Sequence, residues 1–337
     1  MSQHNQPVTD RGLLNRRSFL QRASLLGLGS MLLDSCQVLD DVFPNKPSSV
    51  PPPTQIACWG DSLTFGKGGT PYPTVLANEL PNYTIKNFGI DGQVSRAIVA
   101  RQGGIPVTLS VEGNAFNGAG AIKVTKLSTQ LLSTVANNLT MTLKGRVNEV
   151  PCTLTRTAKG GGEAQVESYT LTPAEASTVS VPADSVFISD DAVAYQSALQ
   201  VLWLGRNDVP DFDGIVNLID NCINYLPNPK FYLVLGILMS NQETKGTAGY
   251  KQISDFNALL QRRYGSNFVP MTPPTADELK AVGYTPTAQD QAQLAQDIFP
   301  AGVRSDYLHL NSLGYQIIAR RIKDKLVAKN WYVQQAK

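Results

Sequence analysis

Two histidines, His4 and His309, are all that the 337 residues contain. The four cysteines are scattered, and neither a C-x-x-C nor an H-E-x-x-H spacing occurs. A tetrahedral zinc site would need more nitrogen and sulfur donors at closer spacing, so no metal and no cofactor is expected. Charge is scarce as well. Charged residues make up 17% of the chain, the formal net charge is +2, and no long basic run occurs beyond the N-terminal segment. Without a basic stripe there is no electrostatic footprint for nucleic acid. Apolar residues, by contrast, reach 42%, which excludes the disordered class and supplies a core for one large domain or two ordinary ones. His4 sits in a polar N-terminal segment, so a histidine base in the folded part can only be His309.

The N-terminus reads as an address. Asn15-Arg16-Arg17-Ser18-Phe19-Leu20 precedes a small, apolar stretch from Ala23 to Leu33. That stretch is too short for a membrane-spanning helix but has the length of a signal-peptide core. The arginine pair resembles a twin-arginine export signal, and Leu33-Asp34-Ser35-Cys36 resembles a bacterial lipoprotein cleavage site with an atypical Asp34. The expectation is an exported protein with residues 1–35 as signal peptide. Cys36 is the candidate for lipidation and a membrane tether, with periplasmic, anchored and secreted destinations left open. Residues 36–54 end in Pro51-Pro52-Pro53, a semi-rigid extended spacer. The remaining cysteines, Cys58, Cys152 and Cys222, are odd in number and lie mostly in apolar surroundings, so buried free thiols are expected.

From residue 55 onward, apolar runs alternate with helical patterns. Strands are expected at 55–59, 83–88, 198–204, 231–238 and 267–271. Helices are expected at 72–80, 213–225, 249–264 and 311–329, the last with Leu313, Ile317, Ile318, Ile322 and Leu326 on one stripe. Such alternation points to an α/β fold, a parallel sheet covered on both faces, with its site at the C-terminal ends of the strands. Residues 103–190 break the pattern. Val107, Leu109 and Val111 alternate, as do Ile122 and Val124, then Leu139, Met141 and Leu143, then Tyr169, Leu171, Val179 and Val181. Lys159-Gly160-Gly161-Gly162 reads as a loop tip. This stretch is expected to be an inserted all-β module, because a structureless loop of that length would be exceptional. The host domain is then 55–102 and 191–337.

Four segments carry candidate chemistry. Gly60-Asp61-Ser62-Leu63 follows a strand and would present the Ser62 hydroxyl on a turn, where it needs an adjacent base to become a nucleophile. Asp306 stands three residues before His309, a spacing that lets the carboxylate meet one ring nitrogen and leave the other for a serine. Gly205-Arg206-Asn207-Asp208 follows another strand, and an Asn amide there can donate to an oxyanion. Gly89, in Asn87-Phe88-Gly89, leaves its backbone amide unshielded. Each segment alone has an ordinary alternative: a capped turn, a structural histidine, a helix cap, a turn glycine.

Taken together and in this order, the four segments resemble the sequence blocks of the SGNH hydrolase superfamily, also called GDSL esterases/lipases. The resemblance covers about residues 55–100 and 195–330 and leaves the β-rich insert uncovered. It implies a three-layer α/β/α, flavodoxin-like sandwich. It further implies a catalytic triad of Ser62, His309 and Asp306, with an oxyanion hole from the Ser62 amide, the Gly89 amide and the Asn207 side chain. The implied activity is carboxylic ester hydrolysis through an acyl-enzyme. Short-chain esters, lysophospholipids and O-acetylated sugars are all compatible with it, and an acylated carbohydrate suits an exported enzyme. Asp61, Arg206 and Arg101 are candidates for contacting such a substrate, solvated surface arginines being the alternative for the last two. A non-catalytic, tethered glycan- or partner-binding protein on the same scaffold is the competing reading.

Overall fold

The computed structural model describes residues 50–136, 140–160 and 166–332. The signal-like leader, residues 36–49 of the spacer with Cys36, Leu139, and Gly161-Gly162 lie outside the described residues. Among the described residues no helix is long and apolar enough to cross a membrane.

Five parallel strands form the host sheet: β1 (Gln55–Gly60), β2 (Thr84–Gly89), β9 (Leu199–Trp203), β10 (Tyr232–Leu235) and β11 (Phe268–Val269). Their spatial order is β11-β10-β9-β1-β2. This is the flavodoxin-like order, with the switch in winding direction between β1 and β9. The strand period of two sorts side chains to opposite faces. Ile56, Cys58, Val201, Trp203 and Leu233 enter one core, shared with the helices Tyr72–Glu79 (α2) and Ser312–Ala328 (α9). Ala57, Trp59, Leu202 and Val234 enter the other, shared with Ser95–Gln102 (α3), Ile215–Tyr225 (α5) and Ala248–Tyr264 (α6). Strands buried on both faces explain the continuous apolar runs.

Between α3 and β9 the chain builds a closed antiparallel barrel of six strands: β3 (Val107–Val111), β4 (Ile122–Leu127), β5 (Met141–Val147), β6 (Val150–Lys159), β7 (Val166–Pro173) and β8 (Ser185–Ser189). The ladder runs β3-β4-β7-β6-β5-β8 and closes where Val107 of β3 pairs with Phe187 of β8. Closure leaves no free edge in this module. Val107, Leu109, Leu154, Leu171 and Phe187 fill its interior, joined by Ala100 of α3 and by Leu131 and Leu132.

Several elements lacked a sequence signal. In α3 nearly every side chain is buried, Arg101 and Gln102 included, so no polar face marks it as a helix. In β6 the inward positions are Cys152, Leu154, Arg156 and Ala158, and the arginine breaks the expected alternation. The short helices Asp190–Ala194 (α4), Ala276–Ala281 (α7) and Ala288–Ala295 (α8), and strand β8, were likewise unmarked. The apolar run 231–238 is a strand only to Leu235. Beyond it the Ile237 amide donates to Asn257 Oδ1 at 2.7 Å instead of continuing the ladder.

Candidate active site

At their C-terminal ends β9, β1 and β2 stand in register, Gly60 between Gly89 and Trp203. The loops that follow them therefore rise side by side. Glycine at the junction positions has a packing reason. A Cβ on Gly89 would lie 2.1 Å from the Phe65 amide nitrogen, and Gly205 has φ +104°, a left-handed conformation that glycine adopts without strain.

After β1, Asp61 caps the one-turn helix Ser62–Phe65 (α1), its Oδ1 accepting from the Leu63 amide at 2.9 Å. The turn holds Ser62 as the first helical residue. On the far side of the chain, Asp306 accepts three hydrogen bonds. Its Oδ1 receives the Leu308 amide at 2.8 Å and the His309 amide at 2.6 Å, and its Oδ2 lies 2.7 Å from His309 Nδ1. Arg304 pins the base of the turn by donating to the Phe299 and Asp306 carbonyls, both at 2.7 Å. Asn311 then caps α9, and Tyr315 in its first turns donates to the Lys67 carbonyl at 2.9 Å, tying this helix to the serine loop.

The result is that His309 Nε2 lies 2.9 Å from Ser62 Oγ across 247 residues of sequence. Partial burial opposes charge on Asp306, but the Leu308 amide and the His309 imidazole and amide outweigh it and hold the carboxyl below its usual range. A carboxylate can only accept, so Nδ1 carries the ring proton and Nε2 presents its lone pair to the serine hydroxyl. Such a chain of three groups can abstract and return the hydroxyl proton. Ser62 is less open than a turn position suggests: it is 3% exposed, with the imidazole against its hydroxyl.

The residues expected to form an oxyanion hole lie at the end of β2, in the turn after β9 and at the start of α1. The Gly89 amide is already donated to Asn87 Oδ1 at 2.8 Å, so that proton is not free. The Asn207 side-chain amide donates one proton to the Gln93 carbonyl at 2.9 Å, leaving the other uncommitted. The Ser62 and Gly92 amides have no hydrogen-bond partner among the described residues. Gly92, at φ +75°, was not singled out in the sequence; the signal was there as the second glycine of Gly89-Ile90-Asp91-Gly92.

The three candidate substrate contacts each have partners within the protein. Arg101 is 4% exposed and lies behind the loop, donating to Gln93 Oε1 at 2.9 Å and the Phe88 carbonyl at 3.0 Å, with its guanidinium 5.5 Å from the Trp59 ring centroid. Burial pulls its pKa down to about 9. Arg206 makes a two-pronged pair with Glu243 at 2.8 and 2.9 Å and also donates to the Leu238 carbonyl at 3.0 Å, which commits three of its five donors. Asp61 is buried as the cap of α1, and burial pushes its carboxyl up to about 7. All three are thus engaged within the protein, holding the loops around Ser62. Cys58, Cys152 and Cys222 are free and buried. Among the described residues no cluster of three or more His, Cys, Asp or Glu could hold a metal. A cavity of about 510 Å³ lies beyond Asp208, lined by Arg96, Asp211 and Asp213; neither Ser62 nor His309 reaches it.

No protein-family model matches the chain, and no curated protein matches it. Among solved structures, it superposes on an alpha/beta hydrolase enzyme from the metagenome of Lake Arreo, Spain, at a TM-score of 0.38 and 11% sequence identity, over 85% of this chain and 99% of that one. So loose a superposition gives no support to a shared fold or chemistry.

Proposed function

We propose that this protein is a serine esterase that cleaves short acyl esters through an acyl-enzyme, with Ser62 as nucleophile, His309 as base and Asp306 as the group that orients it. The single observation carrying this reading is the 2.9 Å contact between Ser62 Oγ and His309 Nε2, backed by the 2.7 Å contact of the other ring nitrogen with Asp306.

In the first step His309 Nε2 takes the hydroxyl proton as Ser62 Oγ bonds to the ester carbonyl carbon. Negative charge moves to the carbonyl oxygen, where the Ser62 amide and the second Asn207 amide proton are the donors at hand. Gly89 could join only by giving up Asn87, whereas Gly92 on the same loop is uncommitted. The alkoxide then leaves with the proton from His309. Water, deprotonated by the same nitrogen, releases the acid and restores the serine.

The substrate reading is a short acyl group on a carbohydrate. Ser62 is almost fully enclosed, which favours an acetyl-sized acyl group over a long chain. Phe65 and Tyr307, each 52% exposed, belong to the loops that carry the nucleophile and the histidine. Their flat apolar faces suit the face of a sugar ring. The leader and Cys36 fit an exported, tethered enzyme acting on such material.

The test is a fluorophosphonate probe together with p-nitrophenyl esters of rising chain length and acetylated xylan. The expectation is covalent labelling lost in Ser62→Ala, turnover falling with chain length, and weaker xylan deacetylation in Phe65→Ala and Tyr307→Ala with p-nitrophenyl acetate turnover retained. A folded wild-type protein that never labels and never turns over would leave the non-catalytic binding reading standing in its place.

A further inference from the structure

Gln93 is 1% exposed and every polar group of its side chain is engaged. Its Nε2 donates to the Leu131 carbonyl at 3.1 Å and the Ser133 carbonyl at 3.0 Å. Both belong to the barrel segment after β4. Its Oε1 accepts from Arg101 Nε at 2.9 Å, and its main-chain carbonyl accepts the Asn207 amide proton at 2.9 Å. One buried glutamine thus joins the barrel, α3 and the loop after β9.

The barrel side of this junction is held in its turn. Thr134 Oγ1 donates to the Asp91 carbonyl, two residues before Gln93. The Thr134 carbonyl accepts from Arg156 Nη2 at 3.1 Å, and Ser133 Oγ donates to Glu167 Oε1 at 2.8 Å. Arg156 and Glu167 face each other from β6 and β7 as an ion pair with almost no exposure, and Tyr169 donates to the same carboxylate at 3.1 Å. A buried ion pair is a weak source of net stability, because desolvation offsets most of the attraction. What it does supply is direction. It fixes where the 131–134 segment presents its carbonyls, and those carbonyls fix Gln93.

From this geometry we infer that the barrel is the positioning element of the ester-cleaving site, and that Gln93 is the positioning residue through which it orients the Asn207 amide. The inference rests on the esterase reading above. An amide with one proton tied to a fixed carbonyl has its plane set, so its second proton points in one direction. Oxyanion stabilisation depends on that direction being set before charge develops. Gln93 touches no reacting atom and acts only through Asn207.

The test is Gln93→Glu, which keeps the size of the side chain and the acceptor for Arg101 but sets an oxygen against the Leu131 and Ser133 carbonyls. Thr134→Val is the companion variant should Gln93→Glu fold poorly. Each is measured with p-nitrophenyl acetate alone and in an Asn207→Ala background. Expected for Gln93→Glu is a roughly 10- to 100-fold fall in kcat with KM changed by less than about threefold, a fall that largely vanishes once Asn207 is gone. Thr134→Val should show the same non-additivity at a smaller size. Equal losses in both backgrounds, or a change confined to KM or to melting temperature, would overturn the positioning role while leaving the esterase intact. Wild-type protein that neither labels with fluorophosphonate nor turns over ester would overturn both.

Discussion

Asp306→Asn changes one atom and should nearly silence the site, for a reason written in the turn itself. Two backbone amides, from Leu308 and His309, both point at Oδ1 at 2.8 and 2.6 Å. An asparagine at this position must keep its oxygen toward those two donors, since turning the NH2 there would oppose donor to donor. The NH2 then faces His309 Nδ1, which can answer it only as an acceptor. The ring proton shifts to Nε2, the nitrogen 2.9 Å from Ser62 Oγ, and the base no longer has a lone pair for the serine. Loss of the correct tautomer in a Ser-His-Asp arrangement lowers kcat about 10⁴-fold, or about 5 kcal/mol of transition-state stabilisation. The turn is expected to keep its shape, because both amide bonds survive. The assay is steady-state p-nitrophenyl acetate hydrolysis near neutral pH, with KM expected to change little. A loss of less than about tenfold in kcat would refute the assigned roles of both nitrogens.

Other outcomes follow from groups around the site. Burial raises the Asp61 carboxyl from its ordinary 3.8 to about 7. The folded protein therefore holds a proton there that the unfolded chain gives up, so its contribution is complete below about pH 4 and is lost as pH rises through about 7. The difference reaches about 4 kcal/mol. Asp61→Asn keeps the acceptor for the Leu63 amide, so its melting temperature should match wild type near about pH 4 and exceed it above about pH 8; a gap that does not vary with pH would count against this account. Glu243→Ala strands the enclosed Arg206 guanidinium and frees the Ser240 amide. It should destabilise by about 3 kcal/mol in a urea titration. Burial pushes the Cys58 and Cys152 thiols up to about 12 and Cys222 higher still. Iodoacetamide should modify these three only after denaturation, as read by peptide mass spectrometry.

Much of this architecture was visible in the chain. Strands β1 and β9 announced themselves as apolar runs because both faces of the sheet are covered. Val107, Leu109 and Val111 announced the first barrel strand because one face is covered and the other is wet. Ser62 and Asn207 stood out because each follows a strand and a glycine, Asp306 and His309 because of their three-residue spacing and the scarcity of histidine. What stayed hidden was tertiary in origin. Nothing local marks Gln93 as a junction, since its partners at Leu131, Ser133 and Asn207 are set by packing between elements. Arg101 reads as a surface residue because a lone buried guanidinium, stacked on Trp59, leaves no periodic trace. The partner of Arg206 was equally hidden, because Glu243 lies on a distant loop.

The barrel's first and last strands are hydrogen-bonded neighbours, with Val107 opposite Phe187. The polypeptide thus enters and leaves the module by the same doorway. To the host sheet the whole excursion is equivalent to a short connector, with little loop-closure entropy at stake however large the module becomes. A different closed module could be grafted at this doorway without disturbing strand β1, which leads into Ser62. It would still inherit the task of offering carbonyls to Gln93. If the barrel positions Asn207 as inferred above, exchanging it would alter the site without changing Ser62, Asp306 or His309.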